Sequence, residues 1–530
     1  MIYFHSIVYS PTLLIGKRNW IAHPSLMNSS FPHKFLLILC MLWVLAGSHA
    51  QAQQGLKNLW MGGFEEESGL PWGGTDLDFI FEEVVISQVD REIDFNRTNT
   101  NITNTIGTLL FSTNGAYIAN ASGDTMPNGT GLSPSNYTST FPAGLHLPQA
   151  VMILPWPENP DLFVLFHSTY DDYEIQSAMQ LYTSMIDLST GSGVTSEKNQ
   201  IIIADTLNLG KITGVRHANG RDWWVFCHKQ DTNIFYRILL TPNGLSEPIQ
   251  QAIGIVRAAD GGQVCFSPDG SKFAYYWGDD EDLEIFNFDR CTGLFSDPVY
   301  IPIDDANAIG GVAFSPNNRF LYVSSVEDVY QYDTEASDIE ASMVHIAEWD
   351  GFYSPSPPFA TLFDIAQLAP DGKIYISTGN GTQHLHVINE PDQAGMACEM
   401  VQHGVELPTY YMNSLPNHPN YHLGPVDGSI CDSLGINTDV ATLSMGEVLG
   451  VRVHPNPGKG LFTLNYPAQP VEGLLEVMDG NGRIIHRKQL SQWTTLHRLD
   501  LTGHAPGLYH CRLSWGLRSA STRLIIQDPE

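Results

Sequence analysis

Apolar residues along the chain fall mainly in short runs of strand length, each followed by a tight polar turn and a second apolar run. Three central segments show the pattern clearly: VCFSPDGSKFAYY at 264–276, VAFSPNNRFLYVS at 312–324 and AQLAPDGKIYIST at 366–378. The Asp-Gly pairs at two of these turns supply the positive φ angles that a two-residue hairpin needs. No segment shows convincing 3.6-residue periodicity together with helix caps. The pattern therefore predicts an all-β fold built from repeated hairpins.

The hairpins recur at a regular spacing. With weaker copies upstream, the turns lie at positions 114, 159, 219, 269, 317 and 371, between 45 and 60 residues apart. A period of about 50 residues with about four short strands per unit is typical of a β-propeller. Six units are visible, and the segments before residue 105 and after residue 395 would together complete a seventh. We therefore predict a seven-bladed β-propeller over residues 56–425, with six or eight blades left open, whose ring is closed by strands from both ends.

The composition changes after the propeller. Residues 426–445 are small, polar and slightly acidic, which is typical of a linker. Seven short strands broken by turns follow in residues 446–530, which predicts a small immunoglobulin-like β-sandwich. Residues 51–445 hold 14 basic and 50 acidic residues, whereas residues 446–530 hold 9 and 7. This break in charge favours two modules with different roles.

The N-terminus carries a targeting pattern. Residues 1–50 contain no Asp or Glu, and the apolar run FLLILCMLWVLA at 35–46 is preceded by Lys34 and followed by GSHA. This arrangement predicts a secretory signal peptide over residues 1–50, with cleavage between Ala50 and Gln51 or two residues later. Met27 would start a signal of ordinary length and is the start that we expect. The run is too short to span a bilayer comfortably, so we expect no transmembrane segment in the mature chain.

The net charge and the cysteines of the chain limit its possible binding partners and disulfide bonds. Acidic residues outnumber basic ones by 57 to 26, for a formal net charge of −31, which excludes nucleic acid as a partner. Of the seven cysteines, Cys40 leaves with the signal, and the other six contain no CxxC pair. Their pairing in an oxidising exterior is left open. Cys511 is expected to be a small buried apolar residue.

The propeller region resembles a known family. GTLLF at 107–111, MPNG at 126–129, VCFSPDG at 264–270, APDGKIY at 369–375, VINEPD at 387–392, Cys398 and SLPN at 414–417 occur in the order seen in a family of secreted bacterial propellers with WD-like repeats. The resemblance covers most of residues 56–425, but His418 stands where the family usually has an aromatic residue. Members usually carry a sorting domain for type IX secretion. The family offers no established catalytic residues to transfer.

The C-terminal module resembles the type A sorting domain of type IX secretion substrates. Its motifs are Pro455, Asn456, Pro457 and Gly458 with Gly460, then DGNG at 479–482, Gly507 and Tyr509 in GLY, and RLII at 523–526. An ordinary accessory sandwich is the alternative. The resemblance implies export by the Sec pathway, then recognition by the type IX machinery and delivery to the cell surface or the medium.

Residues with the potential for chemistry are few. No HExxH, GxSxG, GxxxxGK[ST] or GxGxxG motif occurs. His384 and His386 lie two apart on a predicted strand and could share a zinc or copper ion, although a polar strand is the simpler interpretation. Asp279, Asp280 and Asp282 in one acidic loop could gather Ca²⁺, although a solvated turn is the simpler interpretation there too. No other cofactor is predicted.

These observations favour a secreted or cell-surface propeller that binds a protein or glycan for adhesion or scaffolding, without catalysis. An extracellular propeller hydrolase or lyase acting on polysaccharide or peptide is the main alternative, because propeller active sites are assembled from loops far apart in sequence. A structural part of a surface assembly is a third. Clustered Asp, Glu or His at the central channel would favour the enzyme, and a channel without them would count against it.

Overall fold

The structure is a computed structural model that describes residues 55–432, apart from 82, 172–176, 190, 192, 259–260, 278–281, 304–309, 355–358 and 413, and residues 451–527, apart from 467–468, 470, 480–482 and 516–517. Strands dominate both parts. Within these ranges the helical elements are one short α-helix, α1 (Asn136–Thr140), and 3-10 turns at Glu66–Ser68, Glu340–Ser342 and Gly395–Cys398. None of the described helices is long and apolar enough to cross a membrane. The predicted all-β fold is confirmed.

The first part of the chain folds into antiparallel sheets whose strands follow one another in sequence. The first sheet has three strands, β1 (Leu59–Phe64), β2 (Gly73–Asp78) and β3 (Val85–Val89). The second has four, β4 (Thr100–Thr103), β5 (Leu109–Thr113), β6 (Tyr117–Asn120) and β7 (Thr125–Thr130).

A nine-stranded sheet follows and contains two consecutive groups of strands. The first group is β8 (Val151–Pro155), β9 (Leu162–His167), β10 (Ala178–Asp187) and β11 (Val194–Leu207). The second is β12 (Thr213–Arg216), β13 (Trp223–Lys229), β14 (Thr232–Thr241), β15 (Gly244–Leu245) and β16 (Ile249–Arg257). Only the residue pair Leu207 and Lys229 joins β11 to β13, so the two groups are nearly separate.

Three four-stranded sheets complete this part. They contain β17 (Val264–Phe266), β18 (Lys272–Trp277), β19 (Asp282–Asp289) and β20 (Leu294–Pro302); β21 (Gly310–Phe314), β22 (Phe320–Ser325), β23 (Asp328–Asp333) and β24 (Val344–Glu348); and β25 (Ala366–Leu368), β26 (Ile374–Ile376), β27 (Thr382–Ile388) and β28 (Met400–Tyr411). Each is an up-and-down meander, the architecture of a propeller blade. The fold is a β-propeller. The described residues contain seven consecutive groups of strands, but two of them share one sheet, so the number of blades stays a prediction.

The predicted hairpins form, but the expected two-residue turns are wrong, because five residues separate β17 from β18 and five separate β25 from β26. Of each Asp-Gly pair, only the glycine has a positive φ angle. Gly270 and Gly372, in the two Asp-Gly turns, have φ angles of 72° and 84°. Asp269 supports its turn through its carboxylate, which accepts hydrogen bonds from the Ser267 hydroxyl at 2.7 Å and the Ser271 amide at 2.9 Å. A side chain on Gly270 would also collide with Val215, because an added Cβ would lie 2.8 Å from its methyl group. These turns set the register of each hairpin.

The hydrophobic core lies between neighbouring sheets. Between β12–β16 and β17–β20 it is largely aromatic, with edge-on or tilted rings whose centroids lie about 5–6 Å apart. Examples are Phe226 with Phe288 at 5.4 Å and Phe273 with Phe295 at 4.9 Å. The large aromatic residues that the strands carry are thus explained as packing between blades.

The two ends of this part of the chain lie side by side. The hydroxyls of Thr75 on β2 and Thr409 on β28 are hydrogen-bonded at 2.6 Å. The phenol of Tyr411 donates to the carbonyl of Met61 at 3.3 Å, and a side chain on Gly62 would overlap the Tyr411 ring. The sheet β1–β3 also contacts β4 of the following sheet. The first sheet therefore bridges the last sheet and the second one. Its three strands all come from the start of the propeller, and β28 pairs with β27, so the expectation that strands from both ends share one blade is wrong for the described residues.

The second part of the chain is a small β-sandwich. One sheet has the order β29–β30–β33 and the other β32–β31–β34–β35. Its strands are β29 (Arg452–His454), β30 (Leu461–Asn465), β31 (Gly473–Met478), β32 (Ile484–Leu490), β33 (Leu496–Asp500), β34 (Gly507–Trp515) and β35 (Arg518–Ile526). Their inward residues form one core that contains Phe462, Val477 and Leu513. Cys511 is buried in this core as a free thiol, as expected.

Two further features involve the chain after the last strand of the propeller. A disulfide joins Cys291, in the turn between β19 and β20, to Cys431, 140 residues later. Trp493 of the sandwich is buried within the same hydrophobic cluster as Trp224 and Leu423 of the propeller. The two modules have separate sheets but share this one cluster.

Candidate functional site

The centre of the propeller is held together by buried amide side chains. Gln149 lies just before β8, and its side chain bonds both the N–H (3.0 Å) and the carbonyl (2.9 Å) of Val264 on β17. Gln263, just before β17, accepts from the N–H groups of Val312 and Ala366, both at 3.0 Å. Strands that begin different sheets thus lie within reach of one side chain, which identifies them as the inner strands. We call this central region the hub.

Residues 414–425, which we call the hub segment, cross the hub after the last strand of the propeller. The amide nitrogen of Asn417 donates to the carbonyls of Val151 at 2.9 Å and Ile212 at 2.8 Å. Its backbone N–H donates to the carbonyl of Asn99 at 3.0 Å. Asn417 thereby connects three groups of strands.

The rest of the hub segment continues in the same way. Its side chains donate to backbone carbonyls of successive turns and strands: His418 to Asn101 at 2.7 Å, Asn420 to Pro268 at 2.7 Å and Tyr421 to Ile153 at 2.8 Å. The guanidinium of Arg290 donates to the carbonyl of Gly424. The chain's own residues therefore fill part of the hub.

The histidines of the hub are neutral. Burial lowers the pKa of both His418 and His422 to about 3. Among the described residues, no carboxylate accepts a hydrogen bond from a side chain of the hub segment.

The candidate His384 lies instead in a cluster of polar and aromatic side chains beside β27 and β28. Its Nδ1 lies 3.2 Å from the hydroxyl of Ser354. The ring of Phe352 stacks on His403 with a centroid distance of 4.1 Å, and His403 Nε2 lies 2.9 Å from a carboxylate oxygen of Asp350. We call these residues the histidine cluster.

The second candidate, His386, is fully buried behind this cluster. Its Nδ1 accepts the backbone N–H of His403 at 2.9 Å, and burial lowers its pKa to about 3. Within the described part of the chain, no three His, Cys, Asp or Glu side chains come together so as to hold a metal ion. The pair His384 and His386 stays a prediction, without a third ligand among these residues.

The acidic loop is only partly described. Asp279 and Asp280 lie outside the described residues, as do Ala50 and Gln51 at the expected signal cleavage site. Asp282 is buried at the start of β19. The Ca²⁺ site therefore stays a prediction.

Three tryptophans of the propeller strands are buried. Trp223, Trp224 and Trp277 are at most 5% exposed and belong to the cores between sheets. They therefore pack the cores between the sheets.

The sorting motifs converge in the sandwich. The side chain of Asn456 donates to the carbonyl of Arg523 at 2.6 Å and accepts from the N–H of Ile525 at 2.9 Å. The N–H of Gly458 donates to the carbonyl of Ile525 at 2.9 Å, and its own carbonyl accepts from Gln527 at 2.9 Å. The PNPG turn, Pro455 to Gly458, thus covers the outer edge of β35.

The GLY motif lies on the other side of the same strand. Gly507 pairs with Ile526 and Tyr509 with Leu524 in the register of β34 and β35. Tyr509 is buried, and its phenol donates to the carbonyl of Ala505 at 2.6 Å. Gly460 has a φ angle of 99° and an added Cβ would lie 2.8 Å from the backbone of Thr502, so glycine is required there. Three motifs that are far apart in sequence form one corner of the sandwich.

Comparison with known families explains this corner. Residues 452–527 match the model of the secretion system C-terminal sorting domain. The C-terminal module is a type IX sorting domain. The sorting domain indicates secretion to the cell surface or outer membrane, so the protein is a type IX cargo.

Solved structures resemble the propeller part only distantly. A putative 6-phosphogluconolactonase from Bacteroides fragilis is 11% identical over 68% of this chain and 97% of its own, with a TM-score of 0.42. A Lactobacillus plantarum protein is 11% identical over 67% and 98%, with a TM-score of 0.37. The Dos1 propeller is 10% identical over 58% and 71%, with a TM-score of 0.35. At such values the likeness carries no information about activity. The search of curated proteins gives no match.

Sequence reasoning missed the residues that build the hub. SLPN at 414–417 was noted only as a family motif, and Gln149 and Gln263 were not singled out. The sequence does contain a usable signal for two hub residues, because each is an amide residue directly before the first strand of a sheet. Asn99 precedes β4, and Gln263 precedes β17. The partners of these amides lie as far as 315 residues away, which no local pattern reveals.

Proposed function

We propose that the protein is a non-catalytic binding propeller that the type IX system delivers to the cell surface, where it serves adhesion or scaffolding. The closed hub is the observation that carries this proposal. Side chains that would be free to act on a substrate in a central channel are hydrogen-bonded to inner-strand backbone instead. The partner, an extracellular protein or glycan, would then bind on loops and outer surfaces.

A hydrolase is the second candidate, and one contact favours it. The hydroxyl of Ser354 lies 3.2 Å from His384, the arrangement of a nucleophile and its base. Three features oppose this assignment. Ser354 is 1% exposed, its oxygen already accepts the backbone N–H of Gln383 at 3.1 Å, and burial lowers the pKa of His384, which weakens it as a base.

The experiment compares cells that lack the protein with cells that produce the wild type or the double variant Ser354→Ala and His384→Ala. Attachment to surfaces and to other cells is measured, together with hydrolysis of polysaccharides and peptides by the purified mature protein. We expect attachment to fall without the protein and to return equally with both forms, while neither form hydrolyses a substrate. A wild type that hydrolyses a substrate, with loss of this activity in the folded double variant, would overturn the proposal in favour of the hydrolase.

A further inference from the structure

The outward face of the sheet β32–β31–β34–β35 is positively charged, in contrast to the propeller. Alternate residues of β34 and β35 point away from the core, and those on this face include Arg512, His510 and Arg523, of which His510 and Arg523 are paired across the two strands. Arg487 of β32 lies on the same face, opposite Glu476. Glu476 is the one acidic residue among these strand positions. We call this surface the arginine face.

The arginines of this face are held in place. One carboxylate oxygen of Glu476 accepts two hydrogen bonds from Arg487, at 3.0 and 2.6 Å, and the other accepts one from Arg512 at 2.6 Å. These two arginines hold the pKa of Glu476 below its usual range. The Glu476 side chain is 3% exposed, whereas those of Arg487 and Arg512 are 62% and 53% exposed. Their remaining N–H groups therefore face solvent in a fixed orientation.

An apolar pair adjoins the arginines. Leu508 and Ile525 are paired across β34 and β35, and they are 46% and 40% exposed. Ile525 is also the residue whose backbone is bound by Asn456 and Gly458 of the PNPG turn. The three sorting motifs thus support one exposed apolar pair, next to Arg523.

We propose that the arginine face, with Leu508 and Ile525 as its apolar anchor, is the surface through which the sorting domain docks on a carboxylate-rich protein of the export machinery. Arginine forks bind carboxylates in two-pronged hydrogen bonds, and an apolar centre beside arginines is the usual anatomy of a protein interface. The charges also orient the cargo. An acidic partner repels the chain before the sorting domain, which has 14 basic and 50 acidic residues over 51–445, and attracts the arginine face. This inference rests on the sorting role of the module and is independent of the binding function proposed for the propeller.

The test uses the full chain in a type IX-competent host. The test variant places two carboxylates on the arginine face, His510→Glu with Arg523→Glu, and spares the pairs of Glu476 with Arg487 and Arg512. The matched control is Arg452→Glu with Arg498→Glu. These residues are exposed on the other sheet of the sandwich, so the control reverses charges on a different face.

We expect the first variant to reach the surface and medium at least tenfold less than the wild type and to accumulate as folded protein in the periplasm. The control variant should be exported normally. The single variant Arg523→Lys, which keeps the positive charge, should retain most of the wild-type export, and the double variant Leu508→Ser with Ile525→Ser should be exported less. Thermal melting of each purified chain checks that it is folded. The proposal would be overturned if the variant His510→Glu with Arg523→Glu and the control Arg452→Glu with Arg498→Glu were exported equally, whether at a high or a low level.

Two direct measurements separate other occupants of the face. The purified wild type should bind immobilised poly-L-glutamate more tightly than the His510→Glu, Arg523→Glu variant, and should bind vesicles of phosphatidylglycerol no better than the variant. A difference seen only with the vesicles would identify a lipid surface instead of a protein. A dimer of the wild type that dissociates in the variant would identify a second copy of the chain. Either result overturns the proposal.

Discussion

Replacement of Asn417 by alanine should destabilise the whole propeller, although it removes only one small side chain. The side chain donates to two buried carbonyls, of Val151 and Ile212, and its oxygen lies 3.4 Å from the amide nitrogen of Gln149. Alanine leaves these groups buried without a protein partner.

The magnitude follows from the two carbonyls. Each buried polar group left unsatisfied costs about 1–3 kcal/mol, so we expect the free energy of unfolding to fall by about 2–6 kcal/mol for the two carbonyls. Asn417→Asp keeps the shape but places a carboxylate against two carbonyl oxygens. A buried charge without a partner is costlier still, so this isosteric variant should be less stable than the alanine variant at pH 7.

Urea unfolding of the full chain, followed by tryptophan fluorescence, measures both effects as shifts in midpoint at constant m-value. Asn243→Ala is the matched control, because Asn243 is exposed in the turn before β15, and its stability should change by less than about 0.5 kcal/mol. The reasoning is refuted if Asn417→Ala behaves like the control, or if Asn417→Asp is as stable as the wild type.

Three further predictions follow from the structure. Burial lowers the pKa of five histidines to about 3: His167, His228, His386, His418 and His422. Below about pH 6.5 these histidines become protonated in the unfolded chain but not in the folded one. Each of them should therefore lower the free energy of unfolding by about 2 kcal/mol at pH 5. Melting temperatures measured from pH 7.5 to 5 should therefore fall steeply, and a flat profile would contradict this. Cys431→Ser removes the disulfide to Cys291, which closes a loop of 140 residues, and should lower the free energy of unfolding by up to about 4–5 kcal/mol. An unchanged urea midpoint under oxidising conditions would count against a stabilising role of this disulfide. Deletion of 446–530 should leave a folded propeller in the periplasm, while fusion of these residues to a periplasmic reporter should export it; normal export of the deleted chain would place the address elsewhere.

The sequence alone determined the all-β class and the nature of the C-terminal module. Both rest on local signals. The Asp-Gly turns at Gly270 and Gly372 require positive φ angles that few other residues adopt cheaply. The PNPG, GLY and RLII motifs are short and ordered, so they can be recognised without knowledge of their contacts.

The tertiary structure alone decided the character of the hub and of the arginine face. Asn417 looks like any polar loop residue until Val151 and Ile212 are brought to it from more than 200 residues away. His384 and His386 are two residues apart, yet one faces the hydroxyl of Ser354 and the other is buried behind His403. Hydrogen bonds over such distances in sequence form only when the ring closes, because the loop entropy is then offset by all blades together. A local sequence pattern does not show which residues meet when the ring closes. The roles of Asn417, His384 and His386 could therefore be inferred only from the folded structure.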